Sequence, residues 1–159
     1  MTRRHLLALL SAIGLAPRGA IAQGPATKAD ALNLTDAQWK QRLSPAQYAV
    51  LRQAGTERAG TSPLNAERRK GQYHCAGCGT PLFTSEMKYD SGTGWPSFYT
   101  SLPGVFVVES GTLSFFSGAE YHCAKCGGHH GHVFNDGPAP SGKRYCNNGV
   151  ALSFVASAA

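Results

Sequence analysis

Charge is scarce in this sequence. Asp, Glu, Lys and Arg make up 15% of 159 residues, with 9 acids against 15 Lys plus Arg. Together with 42% hydrophobic residues, that balance excludes a disordered chain and a coiled coil. Long apolar runs are missing too. The apolar block from Leu6 to Ala16 is 11 residues, well short of the ~20 that span a bilayer. The cysteines number five, so they cannot all pair in internal disulfides. What is plentiful is glycine, 19 residues with nine prolines, which favours turns and short strands over a helix bundle. The length suits one domain with a real core.

The first 22 residues hold Arg3, Arg4 and Arg18 and no acid. A basic start, an apolar block and the small-residue site Ala20-Ile21-Ala22 read as an export signal, residues 1–22. Arg3-Arg4 also resembles a twin-arginine signal; an ordinary secretory signal and a mitochondrial presequence are the alternatives. The expected location is therefore exported, in a periplasm-like compartment. Removing the leader leaves 12 basic and 9 acidic residues, a charge of +3. That is weak support for a nucleic-acid partner, and the basic run Arg68-Arg69-Lys70 reads as a solvated loop. No nucleic acid, no stable membrane association and a monomer are expected.

Residues 23–34 read as a linker and 35–155 as the functional domain. Thr35-Asp36 can open a short helix. Ser44-Pro45-Ala46-Gln47 is a stronger start, with an N-cap, a proline at the first helical position and a capping-box Gln. Tyr48, Val50 and Leu51 form its apolar face, and Gly55 can stop it. From Gly60 to Gly71 a loop is expected. Strand signals then follow at Pro81–Phe83, Phe98–Leu102, Val105–Glu109, Thr112–Phe116, His132–Phe134 and Val150–Val155. The expected fold is mainly β, antiparallel, with short N-terminal helices.

Tyr73-His74-Cys75-Ala76-Gly77-Cys78-Gly79 recurs as Tyr121-His122-Cys123-Ala124-Lys125-Cys126-Gly127, with six of seven positions matching. Cys-x-x-Cys-Gly is a tight turn that points two sulfurs at one place, its Gly free to take a positive φ. Two such turns supply the four thiolates of a closed structural Zn²⁺ site at Cys75, Cys78, Cys123 and Cys126. The 44 intervening residues must loop out as a subdomain. Two disulfides are the alternative in an oxidising compartment, and a redox-active Cys-x-x-Cys is a third reading. His74 and His122 read as packing or surface histidines.

The fifth cysteine is Cys146. Read as one strand, residues 144–154 place Arg144, Cys146, Asn148, Val150, Leu152 and Phe154 on one face, the last three apolar and core-facing. A guanidinium beside a thiol favours the nucleophilic thiolate. His129-His130-Gly131-His132 suggests a metal site or proton donors. In Gly94-Trp95-Pro96, an exposed Trp can wall an apolar pocket.

These segments together resemble the methionine-R-sulfoxide reductases, the B-type family. The resemblance spans about residues 35–155. It rests on Gly55-Thr56-Glu57-Arg58, both Cys-x-x-Cys pairs, Ser91 to Phe98, His129 to Phe134 with Asp136-Gly137-Pro138, and Arg144-Tyr145-Cys146 with Asn148. It implies two antiparallel sheets (β-tent-like) and a structural zinc site made of the four repeat cysteines. It implies Cys146 as nucleophile, with His129, His132 and Asn148 lining the sulfoxide site and Arg144 supporting the thiolate. Trp95, Phe134 and Asp136 would hold the substrate, methionine-R-sulfoxide in proteins or free.

Thr93 stands where many relatives have a resolving cysteine. A Cys146 sulfenic acid then has no in-chain partner, and an external thiol or thioredoxin-like reductant is expected. His130, Asn147 and Gly149 depart from the commoner His-Leu-Gly-His and Cys-Ile-Asn-Ser patterns, and Gly111–Gly118 departs too. A zinc-ribbon binding module and a thiol–disulfide exchange protein are the competing functions.

Overall fold

The computed structural model describes residues 32–109 and 118–158. The leader at 1–22 and the expected strand Thr112–Phe116 lie outside these residues. Two helices come first, α1 (Asp36–Arg42) and α2 (Pro45–Gln53), each opened by a capping box, Thr35 with Gln38 and Ser44 with Gln47. Ala54, not Gly55, takes the left-handed position that ends α2, at φ 53°. Gly55 serves by its lack of a side chain, since a Cβ there would lie 2.8 Å from the Ala49 carbonyl oxygen.

Among the described residues, nine strands follow in two antiparallel sheets. β1 (Gly71–Cys75), β2 (Pro81–Thr84) and β9 (Leu152–Ala156) form the smaller, in the order β2-β1-β9. The larger has the order β3-β4-β8-β7-β6-β5. Its strands are β3 (Lys88–Tyr89), β4 (Ser97–Phe98), β5 (Phe106–Val108), β6 (Ala119–Cys123), β7 (His129–Phe134) and β8 (Arg144–Asn147). The core lies between the sheets. Phe83 of β2 stacks on Phe98 of β4 with centroids 3.9 Å apart, and Tyr73 of β1 meets the same ring edge-on at 5.0 Å. Such pairs add about 0.5–1.5 kcal/mol each beyond the area they bury. Trp39, Val50 and Leu51 of the helices extend this core, and Leu32 and Leu34 from the expected linker pack on it as well.

Three expectations need correction. The run 144–154 is two strands in different sheets, β8 and β9, broken by a 3-10 turn at Gly149–Ala151. Alternation therefore fails after Cys146: Asn147 is fully buried, while Val150 is half-buried. Phe98–Leu102 is strand only at its first residue, because Tyr99 to Ser101 turn away from the sheet. Strands β1 and β6 were not among the expected elements, although both carry the alternation Tyr-x-Cys, with Tyr73 and Tyr121 fully buried. The repeat is thus a strand running into a knuckle. Gly79 and Gly127 take φ 73° and 65°, and each donates its N–H at 2.8 Å to the first cysteine of its own turn.

Candidate active site and four-cysteine centre

The two knuckles face each other. Cys75 and Cys126 Sγ are 3.6 Å apart, as are Cys78 and Cys123, and all four sulfurs lie within 4.8 Å of one another. A disulfide needs about 2.05 Å, whereas thiolates at ~2.3 Å around a tetrahedral ion stand about 3.8 Å apart. The donor set therefore fits a metal ion and not two disulfides. The helices brace it. Arg42 Nε donates to Gly77 O at 2.7 Å and Arg52 Nη1 to Cys126 O at 2.9 Å. His130 adds a ring nitrogen 3.4 Å from Cys75 Sγ.

Cys146 lies on β8 between β4 and β7. Cross-strand register pairs Cys146 with Ser97 on one side and with His132 on the other, and pairs His132 with Glu120 beyond. Directly opposed residues share a face with Cβ atoms about 5 Å apart, so Cys146 and His132 are neighbours by register. Both line a cleft of about 160 Å³ with Thr56, Trp95, Gly131, Phe134 and Asn148. Its exposed lining is mostly apolar, as a thioether-like group would require.

Gly131 lets β7 and β8 approach. Its φ is 152°, and a Cβ there would lie 2.0 Å from the Cys146 carbonyl oxygen. The register also shifts beside it, so that His122 pairs with His129 and His130 becomes the extra residue. The bulge sends His130 into the core toward Cys75, where it is fully buried.

Burial raises the Cys146 thiol above its ordinary pKa. The Arg144 charge, a Thr93 hydroxyl hydrogen bond and one from Arg144 pull it back without cancelling burial. Arg144 thus favours the thiolate as expected, but desolvation outweighs it. Arg144 is itself locked. It donates Nε and Nη2 to the two oxygens of Asp136 at 2.8 and 2.7 Å and lies over the Phe134 ring at 4.2 Å. Thr93 belongs to a hydroxyl chain with Ser91 at 2.9 Å, continued to Ser97 at 2.7 Å.

Not every expected site residue faces the cleft. Asp136 stands outside its wall and holds Arg144. His129 lies behind, 3% exposed, with Nδ1 2.6 Å from Glu120 Oε1 and its ring 5.7 Å from that of His132. Burial lowers the His129 pKa against the opposing pull of Glu120. Asn148 touches the cleft, but its amide is committed. Oδ1 accepts from Glu57 N at 2.9 Å and Nδ2 donates to His130 O at 3.1 Å.

Glu57 enters the sequence reading only within the segment Gly55-Thr56-Glu57-Arg58 and was given no role there. Its backbone carbonyl accepts from Trp95 Nε1 at 3.1 Å, and its carboxylate accepts from Gly149 N and, at 3.1 Å, from Val150 N. One residue thus sets both the Trp95 wall and the turn after Cys146. Its partners are some 38 to 93 positions away, which no local pattern reveals.

The three departures also have partners. A Cβ on Gly149 would fall 1.9 Å from Ser62 Oγ, so Gly149 and the buried Ser62 are complementary. Asn147 faces the His130 ring and opposes the fall of its pKa to about 3, which burial causes. Tyr121 donates its hydroxyl to Asn147 Oδ1 at 2.8 Å.

The chain matches the family described as "SelR domain" over residues 43–156. It is similar to the peptide methionine sulfoxide reductase MsrB of Leptospira interrogans, 50% identical over 124 residues, 77% of this chain and 95% of that protein. It shares 52% identity over 121 residues with MsrB of Thiobacillus denitrificans, 76% of this chain and 92% of that one. With the chloroplastic peptide methionine sulfoxide reductase B1 of Arabidopsis thaliana it is 48% identical over 133 residues, 82% of this chain and 65% of that one.

Proposed function

Because the chain belongs to the SelR family of B-type methionine sulfoxide reductases, we propose that it reduces methionine-R-sulfoxide, protein-bound or free, through Cys146. The observation that carries this reading is the register of β7 against β8, which sets Cys146 opposite His132 in a cleft walled by Trp95 and Phe134.

The Cys146 thiolate attacks the sulfoxide sulfur. The S–O bond breaks, and the oxygen is transferred to the Cys146 sulfur as the methionine thioether departs. One proton is needed at the oxygen, and His132 is the cleft residue suited to give it. The sulfur of the substrate gains two electrons and Cys146 is left as a sulfenic acid. Trp95 and Phe134 supply apolar walls for the S-methyl group. Arg144, fixed by Asp136, and the Thr93 hydroxyl offset the desolvation of the thiolate. Two equivalents of an external thiol, or one thioredoxin-like dithiol, then return Cys146 to the thiol, leaving a disulfide and water.

Cys75, Cys78, Cys123 and Cys126 hold Zn²⁺ in this reading. Its role is structural, tying β1 and β6 to the helices, and none of the four lines the cleft. Residues 1–22 act as a removed export leader, 35–155 form the reductase domain, and the working compartment is periplasm-like. The composition of the leader supports this.

The test uses reduced protein and one equivalent of methionine sulfoxide, with a sulfenic-acid trapping reagent and peptide mass spectrometry. The expected product is a single trapped adduct on Cys146. An intramolecular disulfide joining Cys146 to one of the other cysteines would overturn the external-reductant cycle.

A further inference from the structure

Outside the Cys146 cleft and the four-cysteine centre, a second cluster of metal-ligating side chains stands on the β5–β6–β7 end of the larger sheet. His122 and His129 are paired across β6 and β7, 5% and 3% exposed, with ring centroids 5.8 Å apart. Glu120 Oε1 is 2.6 Å from His129 Nδ1 and 3.2 Å from His122 Nε2. Glu109 Oε1, just beyond β5, lies 3.2 Å from the same His122 nitrogen.

As a hydrogen-bond network this cluster is poor. His122 Nε2 sits beside two carboxylates and aligns with neither, and His122 Nδ1 and His129 Nε2 have no aligned partner among the described residues. Buried polar groups left in this way are costly to fold. As a ligand set it is nearly complete. Two imidazoles and two carboxylates suit a first-row divalent cation. Ligands at ~2.1 Å around such an ion stand about 3.0–3.4 Å apart, which the two 3.2 Å separations meet. The Glu120–His129 contact needs to open by roughly 0.5 Å as the ion replaces the shared proton.

The cluster is also reachable. A cleft of about 490 Å³, lined by Glu120, His122, His129, Arg52, Gln53 and Ala54, leads to it and leaves room for water ligands. Arg52 is the cation of that cleft. Its guanidinium lies over Trp39 at 4.7 Å and donates to Cys126 O.

We propose that Glu109, Glu120, His122 and His129 form a second binding site for a divalent transition-metal cation of the Zn²⁺ or Co²⁺ kind. It shares no ligand with the four-cysteine centre. Ligation through His129 Nδ1 would place that ring's proton on Nε2 and fix its tautomer beside His132.

Full-length protein already loaded with zinc is titrated with Co²⁺. The expected result is one further ion per chain, seen as visible d–d absorption without the thiolate charge-transfer bands that would report displacement of zinc from the cysteines. His122→Gln and Glu120→Gln should weaken that binding by at least about tenfold. Glu109→Gln, at the exposed edge, should weaken it too, and serves if His122→Gln fails to fold. Absence of a second ion in the wild type, or unchanged affinity in all three variants, would overturn the proposal.

Discussion

Replacing Asn147 by Val tests the buried network behind Cys146. Val is close to Asn in volume and favours a strand, so packing changes little. The substitution removes the acceptor of the Tyr121 hydroxyl, 2.8 Å away, and the amide that faces His130. Tyr121 and His130 are both fully buried, so water cannot replace the lost partner. Only the Tyr121 hydroxyl is newly orphaned, because His130 Nδ1 has no aligned partner among the described residues even beside Asn147, and one such group gives a loss of about 1–3 kcal/mol. The Asn148 carbonyl also loses a donor but keeps Ala151 N–H at 3.1 Å, so it adds little. Adding His130→Leu and Tyr121→Phe removes further hydrogen bonds, yet it should recover at least about 1 kcal/mol, because the orphaned Tyr121 hydroxyl and the unaligned His130 nitrogen are then both gone. The assay is urea unfolding at fixed saturating Zn²⁺, which keeps the contribution of metal binding constant. A midpoint for the triple variant at or below that of Asn147→Val, with unchanged slope, would refute the reasoning.

Other outcomes follow from the same geometry. Cys75→Ser should lose the metal and unfold, measured as zinc per chain and circular dichroism, because metal binding and folding are linked in such centres. Gly131→Ala should cost several kcal/mol and most of the activity, since its Cβ would meet the Cys146 carbonyl oxygen at 2.0 Å; wild-type stability would contradict the tight β7–β8 approach. Burial raises the Cys146 thiol and Arg144 lowers it. The thiolate fraction, and with it the alkylation rate by iodoacetamide, should rise with pH through that elevated value. Arg144→Gln should move the rise to still higher pH; a shift to lower pH would show that Arg144 does not support the thiolate.

The fold class and the candidate site residues were legible in the sequence, and the strand boundaries were less so. The Cys-x-x-Cys repeat announced a four-sulfur cluster because both ligands of each pair sit in one local turn. Cys146, Arg144 and His132 stood out because alternation and charge operate over a few residues. The break after Asn148 was hidden, because alternation continues in the sequence while Glu57, some 92 positions earlier, draws the Gly149 and Val150 amides into a turn. His129 and His132 looked equivalent in the sequence. The bulge at His130 separates them, one against Glu120 and one in the cleft. Asp136, expected from the resemblance to hold substrate, also anchors Arg144 through both carboxylate oxygens. The pairing of His130 with Asn147, and of Gly149 with Ser62, becomes visible only once β7 lies beside β8.

The central claim is that Cys146 in this cleft reduces the R epimer of methionine sulfoxide. Turnover of the separated R and S sulfoxides of a blocked methionine, with a dithiol reductant, by the wild type and by Cys146→Ser, tests it directly. The account predicts reduction of R alone by the wild type and none by a Cys146→Ser protein that keeps its fold and zinc. Comparable turnover of S, or activity retained in Cys146→Ser, would contradict it.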